Sequence, residues 1–134
     1  MEKSILIVDD EYEFYDLLRF RLQDCGYRIL HATNGTQALA QARQHSPDVI
    51  LLDLLLPDLD GLTLCGILRR QLSTRAAPVI MISALASDVT RHAPKIAGAC
   101  AYFTKPLDIA ELKAELKAIL AAPQSDLGTE ELRA

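Results

Sequence analysis

Val49-Ile50-Leu51-Leu52-Asp53 decides how this chain folds: four aliphatic residues in a row, ended by a carboxylate. A short uninterrupted apolar run of that kind reads as a strand buried on both faces of a parallel sheet. An acid directly after it costs burial energy unless it is ligated or paired. Two other places repeat the pattern, Ile5 to Val8 before Asp9-Asp10 and Ala101 to Thr104 before Lys105-Pro106. Parallel strands leave their sheet along one edge, and open α/β sheets bind ligands in the crevice beyond those carboxyl ends. Three carboxylates and one ammonium are therefore expected to converge, as a site for a divalent cation and an anion.

Between these runs the apolar period changes from strand-like to helix-like. Phe14, Leu17, Leu18, Leu22 and Cys25 recur at helical spacing and stop at Gly26. Arg28 to His31 reads as a second strand, and Asn34-Gly35 then opens a helix carrying Ala38, Leu39 and Ala42 that ends near Ser46-Pro47. Asp60-Gly61 starts a helix with Leu64, Ile67 and Leu68 inward, and Pro78 to Ile82 is a fourth strand. Asp108 with Glu111 three residues on is a capping box, followed by Ile109, Leu112, Leu116, Ile119 and Leu120 on one stripe. Five strand-helix units predict a doubly wound α/β sheet with right-handed crossovers. One unit conflicts with itself: Pro94 falls inside the helix that Ser87 would cap. An interior proline costs roughly 3 kcal/mol or more, so the fourth helix is expected to be kinked, short or frayed.

At 134 residues the chain suits a single domain with an ordinary core, and half of its residues are hydrophobic. The expected division is a domain over 1–122 and a short linker-like, acidic tail over 123–134 with no output domain. Formal net charge is −4, with no basic stripe beyond Arg69-Arg70 and Arg75, so nothing announces nucleic-acid binding. The apolar run around Val49 to Leu56 is cut by Asp53 and stopped by Pro57, too short to span a bilayer. Met1 to Ser4 lead straight into a strand, which leaves no room for a signal peptide. Cys25, Cys65 and Cys100 match no zinc spacing and are expected to be reduced packing residues. His31, His45 and His92 show no metal spacing either and read as surface or cap residues.

Taken alone, each polar island also has a plain structural reading. Asp9-Asp10 can be a solvated helix cap, Lys105 a surface lysine, Ser83 a satisfied strand-end hydroxyl and Tyr102 an amphipathic core residue. Asp53, behind four aliphatic residues, is the hardest to explain that way.

The four motifs Val8-Asp9-Asp10-Glu11, Asp53-Leu54-Leu55-Leu56-Pro57-Asp58-Leu59-Asp60-Gly61, Met81-Ile82-Ser83-Ala84 and Tyr102-Phe103-Thr104-Lys105-Pro106 are weak singly. In this order and spacing, over about residues 4 to 121, the chain resembles the receiver domain of bacterial two-component response regulators. The resemblance implies a flavodoxin-like five-stranded parallel sheet of order 2-1-3-4-5 flanked by five helices. It implies Asp53 as the phosphoryl acceptor. Asp10 and Asp53 would ligate Mg²⁺ (or Mn²⁺) together with the backbone carbonyl of Leu55, and Asp9 would act through a bound water. Lys105 would face the phosphoryl oxygens, Ser83 would donate its hydroxyl to them, and Tyr102 would be the switch aromatic. A cis Lys105-Pro106 bond would turn the lysine into the site. The output surface would be the fourth helix, fifth strand and fifth helix.

The implied partners are a histidine kinase or phosphotransfer protein and a downstream protein target or output domain, in the cytoplasm. No direct nucleic-acid or membrane contact is implied, and a phosphorylation-dependent homodimer is left open by the sequence. Leu55 and Leu85, two beyond Asp53 and Ser83, are apolar where many relatives are polar. They flank the expected path of attacking water, which predicts a long-lived phosphoryl-aspartate. Cys100-Ala101 also replace the acidic residues usual before the aromatic. Two other classes compete. One is a phosphorylation-independent pseudo-receiver that binds proteins, against which the intact Asp9, Asp10, Asp53, Ser83 and Lys105 argue. The other is a phosphatase with an aspartyl-phosphate intermediate, which needs a second aspartate where this chain has Leu55.

Overall fold

The computed structural model describes residues 2–84 and 98–121. Among them run β1 (Ser4–Val8), α1 (Tyr12–Gln23), β2 (Arg28–Ala32), α2 (Gly35–His45), β3 (Val49–Asp53), α3 (Gly61–Arg70), β4 (Val79–Ser83), β5 (Ala101–Thr104) and a C-terminal helix, α4 (Ile109–Ala121). All pairings are parallel, in the order β2-β1-β3-β4-β5. This is the flavodoxin-like order expected above. The expected fourth helix with Pro94, Leu85 and the tail beyond Ala121 lie outside the described residues.

Alternation along the strands assigns each residue to one of two apolar layers. Ile5, Ile7, Val49, Leu51, Ile80 and Ile82 pack with Leu18 and Leu22 of α1 and Leu112 and Leu116 of α4. Leu6, Val8, Ile50, Leu52, Val79 and Met81 pack with Ala38 and Ala42 of α2 and Leu64, Cys65 and Leu68 of α3. The three central strands are buried along their whole length, as their unbroken aliphatic runs require. Because side chains alternate with a period of two, one further step along β1, β3 and β5 puts Asp9, Asp53 and Lys105 on the α1/α4 side. Ser83 and Tyr102 fall with Met81 on the other.

The helices start where the sequence marks them. Asn34 caps α2, its side chain accepting from Gln37 N at 2.8 Å, and Asp60 caps α3, accepting from Thr63 N at 2.9 Å. Asp108 Oδ1 accepts from Ala110 N at 2.9 Å and Glu111 N at 3.3 Å at the start of α4. A Cβ on Gly61 would lie 2.5 Å from the Asp53 carbonyl oxygen, so only glycine lets α3 begin against the β3 exit.

Three expectations need correction here. β5, expected to be buried on both faces like β1 and β3, is the edge strand of the sheet, with Ala101, Tyr102 and Phe103 half-buried and Thr104 exposed. On α1 the buried stripe is Tyr15, Leu18 and Leu22, whereas Leu17 is about half exposed. The helix is rotated so that Tyr15 turns inward onto a ring from β2. Of the cysteines, all free, only Cys65 is a packing residue; Cys25 and Cys100 are exposed. Burial lifts the Cys65 thiol to about 11, the behaviour of an inert core residue.

Candidate functional site

The strand exits bring the three expected acids together: Asp9, Asp10 and Asp53 each offer an oxygen, all within 4.8 Å of one another. Asp9 and Asp53 are almost fully buried and Asp10 is exposed. The register explains the meeting, since Val8 pairs with Leu52 and the acids follow one residue later on each strand. Local hydrogen bonds shape each exit. Asp9 Oδ1 accepts from Glu11 N at 2.8 Å, and Asp53 Oδ1 accepts from Leu55 N at 3.0 Å.

Lys105 joins them from β5. Its backbone N donates to the Ser83 carbonyl at 2.9 Å, extending the β4–β5 ladder by one residue. The Lys105-Pro106 bond is cis. The ammonium then lies 2.6 Å from Glu11 Oε1, 3.1 Å from Asp9 Oδ2 and 3.4 Å from Asp53 Oδ2, and 4.1 Å from the centroid of the Phe14 ring.

Among the described residues, the electrostatics follow from one cation shared among several anions. Burial raises the Asp9 and Asp53 carboxyls above their ordinary range, and the Glu11 and Leu55 amides and the nearby ammonium offset this only in part. Burial alone would pull Lys105 down, yet the Glu11 hydrogen bond and the Asp9 and Asp53 charges hold it above the usual lysine range. The lysine gains from three partners, while each carboxylate has a share of a single cation. Such a pocket retains an appetite for positive charge. The side-chain donors that the described residues bring together are carboxylate oxygens, the hard ligand type that suits Mg²⁺ or Mn²⁺.

Ser83 is fully buried at the end of β4, beside Ile82, the ladder partner of Asp53. Tyr102 is half-buried on the α2/α3 layer, paired with Met81. Leu55 is 55% exposed beside Asp53.

Three neighbours escaped the sequence reading. Glu11, which the sequence presents only as a charge beside Asp9-Asp10, makes the shortest ion pair with Lys105. Phe14 reads in sequence as part of the apolar stripe of α1, yet its ring also lies under the Lys105 ammonium. His31 is neither a surface nor a cap residue: it is half-buried, and its Nε2 lies 3.1 Å from the Asp9 carbonyl oxygen. Glu11 and Phe14 lie three residues apart across the start of α1, a spacing that could have linked them.

The family model of the response regulator receiver domain matches residues 5–117. This chain belongs to that family. Such domains are signalling modules rather than metabolic enzymes. Over 137 aligned residues, 98% of this chain, it is 38% identical to the alkaline phosphatase synthesis transcriptional regulatory protein PhoP of Bacillus subtilis, covering 56% of that protein. It is 40% identical over 116 residues to the DNA-binding dual master transcriptional regulator RpaA of Synechocystis, covering 87% of this chain and 48% of that one. The chain thus spans about half the length of the curated relatives it matches. The crystal structure of the BeF₃-activated N-terminal receiver domain of Klebsiella pneumoniae RstA superposes with a TM-score of 0.83 at 30% identity, over 90% of this chain and all of that one.

Proposed function

We propose that this receiver accepts a phosphoryl group on Asp53, assisted by Mg²⁺ (or Mn²⁺), and passes the change to a partner. The observation that supports it most is the buried Asp53 carboxylate, pinned by Leu55 N through one oxygen and facing Lys105 through the other. Asp10, Asp53 and the Leu55 carbonyl would hold the cation, with Asp9 acting through a water. The bound cation would neutralise charge on the phosphoryl oxygens. Asp53 Oδ2 attacks phosphorus, the bond from phosphorus to the donor's leaving group breaks, and that group departs with its electron pair. Lys105 exchanges carboxylate contacts for a phosphoryl oxygen, and the Ser83 hydroxyl donates to another.

Ser83 and Tyr102 share the α2/α3 side, so drawing the serine toward the phosphate frees room for the tyrosine ring. The readout surface would be segment 85–97, β5 and α4, to which a second copy or an output domain could respond. The donor would be a histidine kinase or phosphotransfer protein in the cytoplasm. Among the described residues no helix is long and apolar enough to cross a membrane. DNA contact, named for RpaA, would belong to an output domain and not to residues 1–122. Leu55, exposed beside Asp53, together with Leu85 would slow water attack on the phosphoryl-aspartate.

The test is intact mass after acetyl phosphate and Mg²⁺. A gain of about 80 Da on wild type and none on Asp53→Asn is expected. The adduct should persist for minutes or longer; decay within seconds sinks the two-leucine reading. No adduct on either protein favours the phosphorylation-independent binding module.

A further inference from the structure

We propose that His31 is a positioning residue for the acidic site: its imidazole, laid flat on Tyr15, donates the Nε2 hydrogen to the Asp9 carbonyl and fixes how Asp9 and Asp10 leave β1. The inference rests on reading that site as a cation-assisted phosphoryl acceptor, and it concerns two residues that neither the motifs nor the acidic cluster include.

A carbonyl oxygen only accepts, so at 3.1 Å the ring nitrogen must be the donor. The ring therefore carries a hydrogen on Nε2. Asp9 N donates to the Ala32 carbonyl at 3.0 Å. Both polar groups of Asp9's main chain are therefore tied to β2, one by backbone and one by the His31 side chain. The Asp9 carboxylate turns back onto Glu11 N, so the whole bend from Val8 to Glu11 inherits that anchoring.

His31 is itself immobilised. Its ring lies 3.5 Å from that of Tyr15 with 5° between the planes, and Tyr12 meets both rings edge-on, 5.7 Å from Tyr15 and 5.9 Å from His31. Tyr15 is 9% exposed and belongs to the α1/α4 core layer. The chain of contact runs from the core through two stacked rings to the carbonyl of a cation-site residue. Partners that orient ligands in this way are typically worth about 10–100-fold in metal affinity.

The experiment titrates the full chain with Mn²⁺ by electron paramagnetic resonance and records the imidazole nitrogens by ¹⁵N NMR. His31→Leu keeps an apolar ring-sized group and loses the donor; it should bind Mn²⁺ about tenfold more weakly. His31→Gln can place an amide N–H near the former Nε2 and should recover most of that loss. Wild type should show the Nε2–H tautomer. A thermal melt checks folding, and if His31→Leu does not fold the glutamine variant decides: affinity near wild type supports the role, a tenfold loss overturns it. Unchanged affinity in a folded His31→Leu, or an Nδ1–H ring in wild type, overturns it as well. Wild type that takes neither Mn²⁺ nor a phosphoryl group would overturn the receiver reading and this inference together, whereas a wild type that takes both, beside a folded His31→Leu with no loss of affinity, overturns this inference alone.

Discussion

Asp9 and Asp53 lie at the same sheet edge as Asp58 and Asp60, yet the two pairs are held in opposite ways. Asp9 and Asp53 are buried, and burial raises both carboxyls. Asp60 is exposed, and the Thr63 hydroxyl and amide hold it below the ordinary range. Asp58, also exposed, is lowered first by Gly35 N and then by the Thr36 donors at the start of α2. The loop acids are thus structural: each satisfies orphan amides at a helix start. The strand-end acids instead impose a cost on the fold that a cation would relieve. Buried charge left short of partners marks a functional site more reliably than acidity alone.

The largest expected effect comes from removing Lys105, the cation that the described residues bring to the buried group. Lys105→Met leaves Asp9 and Asp53 buried without their ammonium and should lower stability by about 3 kcal/mol, read by denaturant unfolding in a chelator. Added Mg²⁺ should then raise the melting temperature of this variant more than that of wild type, because an external cation replaces the lost one. Equal responses would show that the ammonium and the divalent cation do not share the pocket.

The comparison itself is tested by pH. A raised native pKa means that the Asp53 carboxyl contributes most when protonated, and that this contribution is lost as pH rises through its folded value. A lowered native pKa means that Asp60 contributes above its unfolded value and loses that contribution as pH falls through its folded one. Without divalent cations, Asp53→Asn should therefore gain stability at pH 7, on the order of 1 kcal/mol, and converge with wild type in acid. Asp60→Ala should lose about 1 kcal/mol at pH 7, and part of that deficit should close in acid. Melting curves of both variants from pH 3 to 7 decide it, and slopes of the same sign would abolish the distinction.

How much of this was legible depended on whether the cause was local. The strands and their order of exit were readable because the aliphatic runs end in charged residues, and alternation then placed Asp9, Asp53 and Lys105 on one side. Where burial is set by a partner distant in sequence, the pattern misled. Leu17 and Tyr15 are equally acceptable inward residues on helical periodicity, and only the His31 ring on β2 decides for Tyr15. Glu11 reads as a charge at a helix start until Lys105 arrives from 94 residues away. Cys25 and Cys100 look like apolar residues in composition yet stand at exposed chain turns.

The smallest expected effect concerns Phe14, which packs on the α1/α4 layer and also lies beneath the Lys105 ammonium. A ring face attracts a cation by its quadrupole, worth about 0.5–1 kcal/mol where partly exposed; a leucine supplies apolar contact and no such field. Phe14→Leu in wild type loses both packing and field, but in the Lys105→Met background it loses packing alone. The difference between the two costs, taken as a double-mutant cycle from denaturant unfolding, isolates the contact. A coupling of about 0.5 kcal/mol is expected. It would mean that α1 holds the lysine through the Phe14 ring face while the carboxylates hold it through ion pairs, so the ammonium is fixed by both. A coupling of zero would return Phe14 to the core and leave Lys105 tethered by its acids alone.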